Sequence, residues 1–148
     1  MAYSGKVVKI GGGTAFGFDS FYGHQPLIDA GCDYIVYDCL AELTLASLSS
    51  DTQTNPDGYI ASFLRDITPY LREMLAKGCK IVTNWGGLNP HGAAEAMRKV
   101  LAEQGLTAKI GVVTGDDMRN RIPEFQAKGL KEMFSGEPLP DDVEYTAM

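Results

Sequence analysis

Four short stretches of this sequence place carboxylates, amides, hydroxyls and glycines directly after runs of β-branched residues. They are "GGGTAFGFDS" (11–20), "DCLAE" (38–42), "NWGGLNPHG" (84–92) and "TGDD" (114–117). Glycine-rich backbone ahead of a helix offers unpaired N–H groups and the positive end of a helix dipole, which suits a phosphate or carboxylate. In that reading Gly11, Gly12, Gly13, Gly86 and Gly87 present backbone donors, and Asn84 and Asn89 orient the ligand. Asp19, Glu42, Trp85, Thr114, Gly115 and Asp117 line the same cleft. Asp38 and Asp116 are the candidates for proton transfer, since a carboxyl group placed against a substrate can act as general acid or base.

Other chemistries fit less well. Gly11, Gly13 and Gly17 are spaced one residue longer than the dinucleotide fingerprint, although Asp38 stands where a ribose-binding acid would. No glycine-Lys-Ser/Thr sequence occurs, which excludes a nucleotide P-loop. Asp38, Glu42, Asp116 and Asp117 offer the oxygen ligands that Mg²⁺ prefers. Cys39 is the one thiol beside the cleft, and no Ser-His-Asp or Cys-His arrangement can be drawn.

Positioning these loops requires an alternating chain. The runs "KVVKI" (6–10), "DYIVYD" (33–38), "KIVTN" (80–84) and "KIGVVTG" (109–115) are continuously apolar, as strands buried on both faces of a parallel sheet are. Between them, apolar residues recur at helical spacing over Tyr59–Lys77, with Gly78 as the stop, and over Pro90–Gln104, with Asn89 as N-cap and Gly105 beyond the end. Ser20–Ala30 and the stretch 41–49 read as further helices, and 50–58 as a polar loop. The expected fold is α/β: an open, mostly parallel β-sheet of about four strands with helices on both faces, in Rossmann- or flavodoxin-like layering. Ligands of such sheets bind beyond the carboxyl ends of the strands, where all four loops lie.

The 148 residues suffice for one domain with a real core. Residues 1–134 read as that domain, and 135–148, "SGEPLPDDVEYTAM", as an acidic, Pro-containing tail that leads into a continuation. A net charge of −6 without a Lys/Arg cluster argues against nucleic acid as partner. No run is long and apolar enough for a membrane span or a signal peptide. Three widely spaced cysteines, Cys32, Cys39 and Cys79, suit a reducing, cytoplasmic setting.

Taken together, "KIGGGTAFGFDS", "DYIVYDCLAELTL", "KGCKIVTNWGGLNPHGAAEAM" and "IGVVTGDDM" resemble, in that order, the N-terminal region of the acyclic terpene utilisation (AtuA-type) family. The resemblance runs from Lys6 to about Asp142. It implies a place in the catabolism of acyclic terpenoids or branched acyl-CoA compounds, with no chemical step assigned. It also implies a protein longer than this one, and hence a protein partner or self-association through the missing half. The function expected is therefore a catabolic domain that binds a small anionic or acyl-CoA-type ligand. A nucleotide-binding module and a non-catalytic interaction domain are the alternatives, to be told apart by NAD or FAD binding and by self-association.

Overall fold

The structure is a computed structural model, and it describes Gly5, residues 7–14, Asp19, residues 21–50 and residues 56–141. It divides into two compact units, Met1–Val112 and Val113–Met148.

The first unit is α/β. Strands β1 (Ile10–Thr14), β2 (Tyr34–Tyr37) and β3 (Lys80–Thr83) form a parallel sheet in the order β1-β2-β3. The register pairs Ile10 with Tyr34 and Tyr34 with Lys80, and Gly12 with Val36 and Val36 with Val82. A bulge between Gly12 and Thr14 lets Thr14 stand opposite Tyr37, which in turn faces Thr83. Helices α1 (His24–Asp29), α2 (Glu42–Ser50), α3 (Ala61–Ile67), α4 (Leu71–Ala76) and α5 (Pro90–Glu103) complete the unit.

β1 begins later than the run "KVVKI" suggests. The Lys9 carbonyl accepts from both Asp33 and Tyr34, and the Lys9 N–H donates to the Asp33 carboxylate at 2.9 Å. This clip fixes the register so that the glycines pair, while Val7 and Val8 stay exposed. Glycine is costly in a strand, but two of the three are required here. A Cβ at Gly11 would stand 2.8 Å from the Leu27 side chain, and one at Gly13 would collide with the Tyr37 ring.

The expected helix 59–77 is split. Pro69 has no N–H to give to the carbonyl of Arg65, so Thr68–Tyr70 tightens into a 3-10 turn between α3 and α4. α5 follows expectation: Asn89 caps it by accepting from Gly92 N–H at 2.9 Å, and Gly105 beyond its end has φ +65.

Two expectations are corrected. The run 109–115 forms no strand; Leu106, Ala108 and Ile110 pack against the core, but the backbone joins no ladder. Nor, among the described residues of this unit, do helices pack on both faces of the sheet. Residues from α1, α3, α4 and α5 share one core with Ile35 and Tyr37, while Ile10, Val36 and Val82 on the other face are exposed. Right-handed crossovers that step β1-β2-β3 in one direction place their helices on the same side, which accounts for it.

The second unit contains a 3-10 turn at Arg119–Arg121, α6 (Ile122–Ala127) and an isolated antiparallel bridge between Lys131 and Pro138. None of its described residues is buried. The expected tail from 135 belongs to this unit, and residues 142–148 lie outside the described residues, as do the loop residues 15–18 with Gly17.

Candidate functional site

At the carboxyl ends of the strands, one side chain ties two of them together. The Asn84 carbonyl oxygen accepts from the Cys39 N–H at 2.7 Å, and its amide nitrogen donates to Asp38 Oδ1 at 2.8 Å. An amide side chain can accept from the backbone through its oxygen and donate to a carboxylate through its nitrogen at once. Thr14 Oγ1 donates to the Asp38 carbonyl at 3.2 Å and lies 3.9 Å from Cys39 Sγ. Thr83 Oγ1 lies 3.8 Å from the same sulfur and accepts from Trp85 N–H at 3.2 Å. Sequence reasoning singled out Asp38 and Asn84 but passed over Thr14 and Thr83. Their signal was a hydroxyl at the last position of each outer strand, one register row from the site.

This cluster leaves Asp38 exposed, with its rotamer held by Asn84 and Oδ2 without a partner among the described residues. The Cys39 thiol is buried, and burial pushes its pKa up against the pull of the Thr83 and Thr14 hydroxyls, so it stays protonated. It packs as a small apolar residue, not as a nucleophile.

The glycine turn after β3 is built differently from an anion cradle. Gly87 N–H donates to the Asn84 carbonyl, Leu88 N–H to the Gly58 carbonyl and Asn89 N–H to the Gly86 carbonyl. Gly92 N–H goes to the Asn89 side chain, whose amide nitrogen donates in turn to the Asp57 carbonyl at 2.9 Å. Gly87 has φ +51, and a Cβ there would stand 2.5 Å from Leu48 and 2.9 Å from the Gly58 carbonyl. A Cβ at Gly86 would stand 2.7 Å from Pro90. Both glycines answer to packing, and the Gly87 N–H expected for a ligand is spent internally.

Trp85 is likewise core. It is buried, edge-on to Tyr59 with centroids 5.2 Å apart and tilted against Phe63 at 5.4 Å. Glu42 opens α2 and is exposed, and Asp19 is half-buried ahead of a 3-10 turn at Phe21–Gly23. Of the remaining candidates, Thr114, Gly115, Asp116 and Asp117 belong to the second unit. There Asp117 accepts from the Arg119 backbone N–H and pairs with its guanidinium at 2.7 Å, which lowers its pKa to about 2.

Charge at this edge is one-sided. No Lys or Arg occurs from Ile10 to Leu64 or from Ile81 to Met97, the segments that contain all three strand ends of the first unit. Among the described residues no group of three His, Cys, Asp or Glu side chains is placed to hold a metal ion.

Fold and site together define an α/β protein with a parallel sheet whose carboxyl edge carries a locked carboxylate-amide pair. The chain matches the model of the acyclic terpene utilisation family, AtuA, over residues 8–147 and belongs to that family. No curated protein and no solved structure matches it. Among the described residues no helix is long and apolar enough to cross a membrane.

Proposed function

We propose that the chain serves the breakdown of acyclic terpenoids or of the branched acyl-CoA compounds derived from them, in the cytoplasm, by binding a small ligand at the carboxyl edge of its sheet. The observation that carries this reading is the Asn84 clip. It holds Asp38 in one orientation at the end of the central strand, with one carboxylate oxygen turned to no other described group. A pre-set acceptor of this kind costs little to reorganise when a ligand arrives.

The chemistry of the edge narrows what Asp38 can meet. An anion would find a carboxylate, no Lys or Arg in those loops, and the Gly87 N–H already bonded to the Asn84 carbonyl. A hydroxyl donor suits it better, as in a terpenoid alcohol or hydroxy-acyl chain. The phosphates of a CoA group would have to be met by other residues. Asp38 can also take a proton from such a hydroxyl as general base. The nucleotide-binding alternative loses its motif, because Gly11 and Gly13 make room for Leu27 and Tyr37 inside the strand.

The test is a thermal-shift screen of the chain against acyclic terpenoid alcohols and acids, branched acyl-CoAs, free CoA, NAD, ATP and Mg²⁺, with Asp38→Asn alongside. A ligand at 100 times its Kd adds about 2.7 kcal/mol. A shift with alcohols or hydroxy-acyl compounds that Asp38→Asn loses supports the reading. A shift that Asp38→Asn keeps, or a response to CoA and ATP alone, would overturn it.

A further inference from the structure

Asn84 has a donor that its clip to Asp38 does not use. The Cys39 N–H can only donate, so the group facing it at 2.7 Å is the side-chain oxygen of Asn84, and the amide nitrogen is left to face Asp38. The backbone of Asn84 is held as well, since its carbonyl accepts from Gly87 N–H at 3.2 Å. A side-chain amide nitrogen carries two N–H donors. One goes to Asp38 Oδ1 at 2.8 Å, and the other meets no partner among the described residues. Asp38 mirrors this, with Oδ1 taken and Oδ2 open. Both side chains are exposed, so a small molecule in solution can reach them.

The edge thus presents one open donor beside one open acceptor, held together by the bond between Asn84 and Asp38. The two N–H groups share a nitrogen and the two carboxylate oxygens share a carbon. The open positions therefore lie close enough for one ligand atom to meet both at the ordinary length of about 2.9 Å. A group that takes the place of water there loses affinity unless it makes both bonds. A hydroxyl makes both, donating through O–H and accepting through a lone pair. A ketone or ether oxygen only accepts, and leaves Oδ2 unmet. An ammonium group only donates, and sets its own N–H against that of Asn84.

We propose that the Asp38–Asn84 pair selects a free hydroxyl by bonding both functions of its oxygen, which makes the ligand an alcohol and Asn84 its second binding residue. This rests on the reading of Asp38 as ligand acceptor and adds the group that meets the hydroxyl's lone pair. The ligand O–H donates to Asp38 Oδ2, and its oxygen accepts the open N–H of Asn84. Asp38→Asn inverts the demand. Asn84 still donates to Oδ1 of the replacement, whose amide nitrogen stands where Oδ2 was, and two open donors remain. Such a pair suits the two lone pairs of a ketone oxygen.

The experiment titrates the full chain, ¹⁵N-labelled, and its Asp38→Asn variant with a branched acyclic secondary alcohol and its matching ketone, methyl ether and amine. The Asn84 side-chain NH₂ signals, assigned by their absence in Asn84→Ala, report contact at that group. The expected result is that the alcohol binds about ten-fold or more tightly than the ketone and the ether, and moves the Asn84 NH₂ signals. In Asp38→Asn the ketone should overtake the alcohol. Equal affinities for alcohol, ketone and ether, tighter binding of the amine, the same rank order in both proteins, or alcohol binding with the Asn84 NH₂ signals unmoved would each overturn the proposal. Those outcomes leave Asp38 as a ligand residue wherever Asp38→Asn weakens the alcohol. Binding by none of the probes, or an alcohol affinity unchanged in Asp38→Asn, would overturn the ligand reading and the proposal with it.

Discussion

Asn84 is the residue on which the carboxyl edge turns. Its replacement by Ala removes the acceptor for Cys39 N–H and the donor to Asp38 together. An expected loss of about 1–3 kcal/mol follows from leaving such groups unmet, readable by urea denaturation. The single tryptophan, Trp85, follows Asn84 in sequence and is buried, so its fluorescence reports the transition. His24 gives a second residue-scale prediction. It is fully buried, edge-on to Tyr37 and Tyr70, and burial lowers its pKa from 6.5 against a smaller opposing pull from Asp66. Below pH 6.5 the unfolded chain takes up a proton that the folded chain resists. Stability attributable to His24 is therefore full above that pH and falls as the pH drops toward the folded-state value. A His24→Leu variant should show a flatter pH profile of unfolding between pH 7 and 5, once the carboxylate contribution common to both proteins is subtracted. Parallel profiles would exclude His24 as the source.

Among the elements, the junction from β3 to α5 is the most constrained. Its turn needs a left-handed residue at Gly87 in contact with Leu48 and the Gly58 carbonyl, and a cap at Asn89 that also holds the preceding loop. Gly87→Ala adds both backbone strain and a collision, for an expected cost of about 1–3 kcal/mol. Asn89→Ala should cost about 1 kcal/mol through the cap alone, and more through its bond to Asp57. Denaturant midpoints for the two variants check this, and a neutral Gly87→Ala would mean that the turn relaxes easily. The split of the 59–77 segment has a similarly local cause in Pro69.

For the molecule as a whole, the buried apolar side chains among the described residues lie between Ile28 and Leu101. The second unit has no buried residue among those described, and its order rests on exposed contacts such as Arg121 with Glu124 and Lys128 with Glu124. Exposed ion pairs contribute little each. A chain ended after Val112 should therefore keep nearly the same thermal midpoint as the full chain. A drop of many degrees would show that residues 113–148 hold the first unit together.

The sequence by itself determined the alternation of strands and helices, the capped start of α5, the glycine stops at 78 and 105, and the family. These are local: they depend on spacing along the chain and on which residues tolerate a given backbone angle. It also placed Asp38 and Asn84 at strand ends, where parallel sheets meet their ligands. Tertiary structure decided what the local pattern left open. The continuous apolar runs looked two-sided, yet the described helices of the first unit pack on one face, because the strand order fixes the side on which right-handed crossovers fall. The run 109–115 has a strand's composition, but a ladder needs a neighbour's backbone in reach. The glycines of 11–13 and 86–87 looked like donors for an anion, and packing against Leu27, Tyr37, Leu48 and Pro90 explains four of the five. At Gly12, which stands at the bulge, a Cβ would meet none of the described residues within 4 Å.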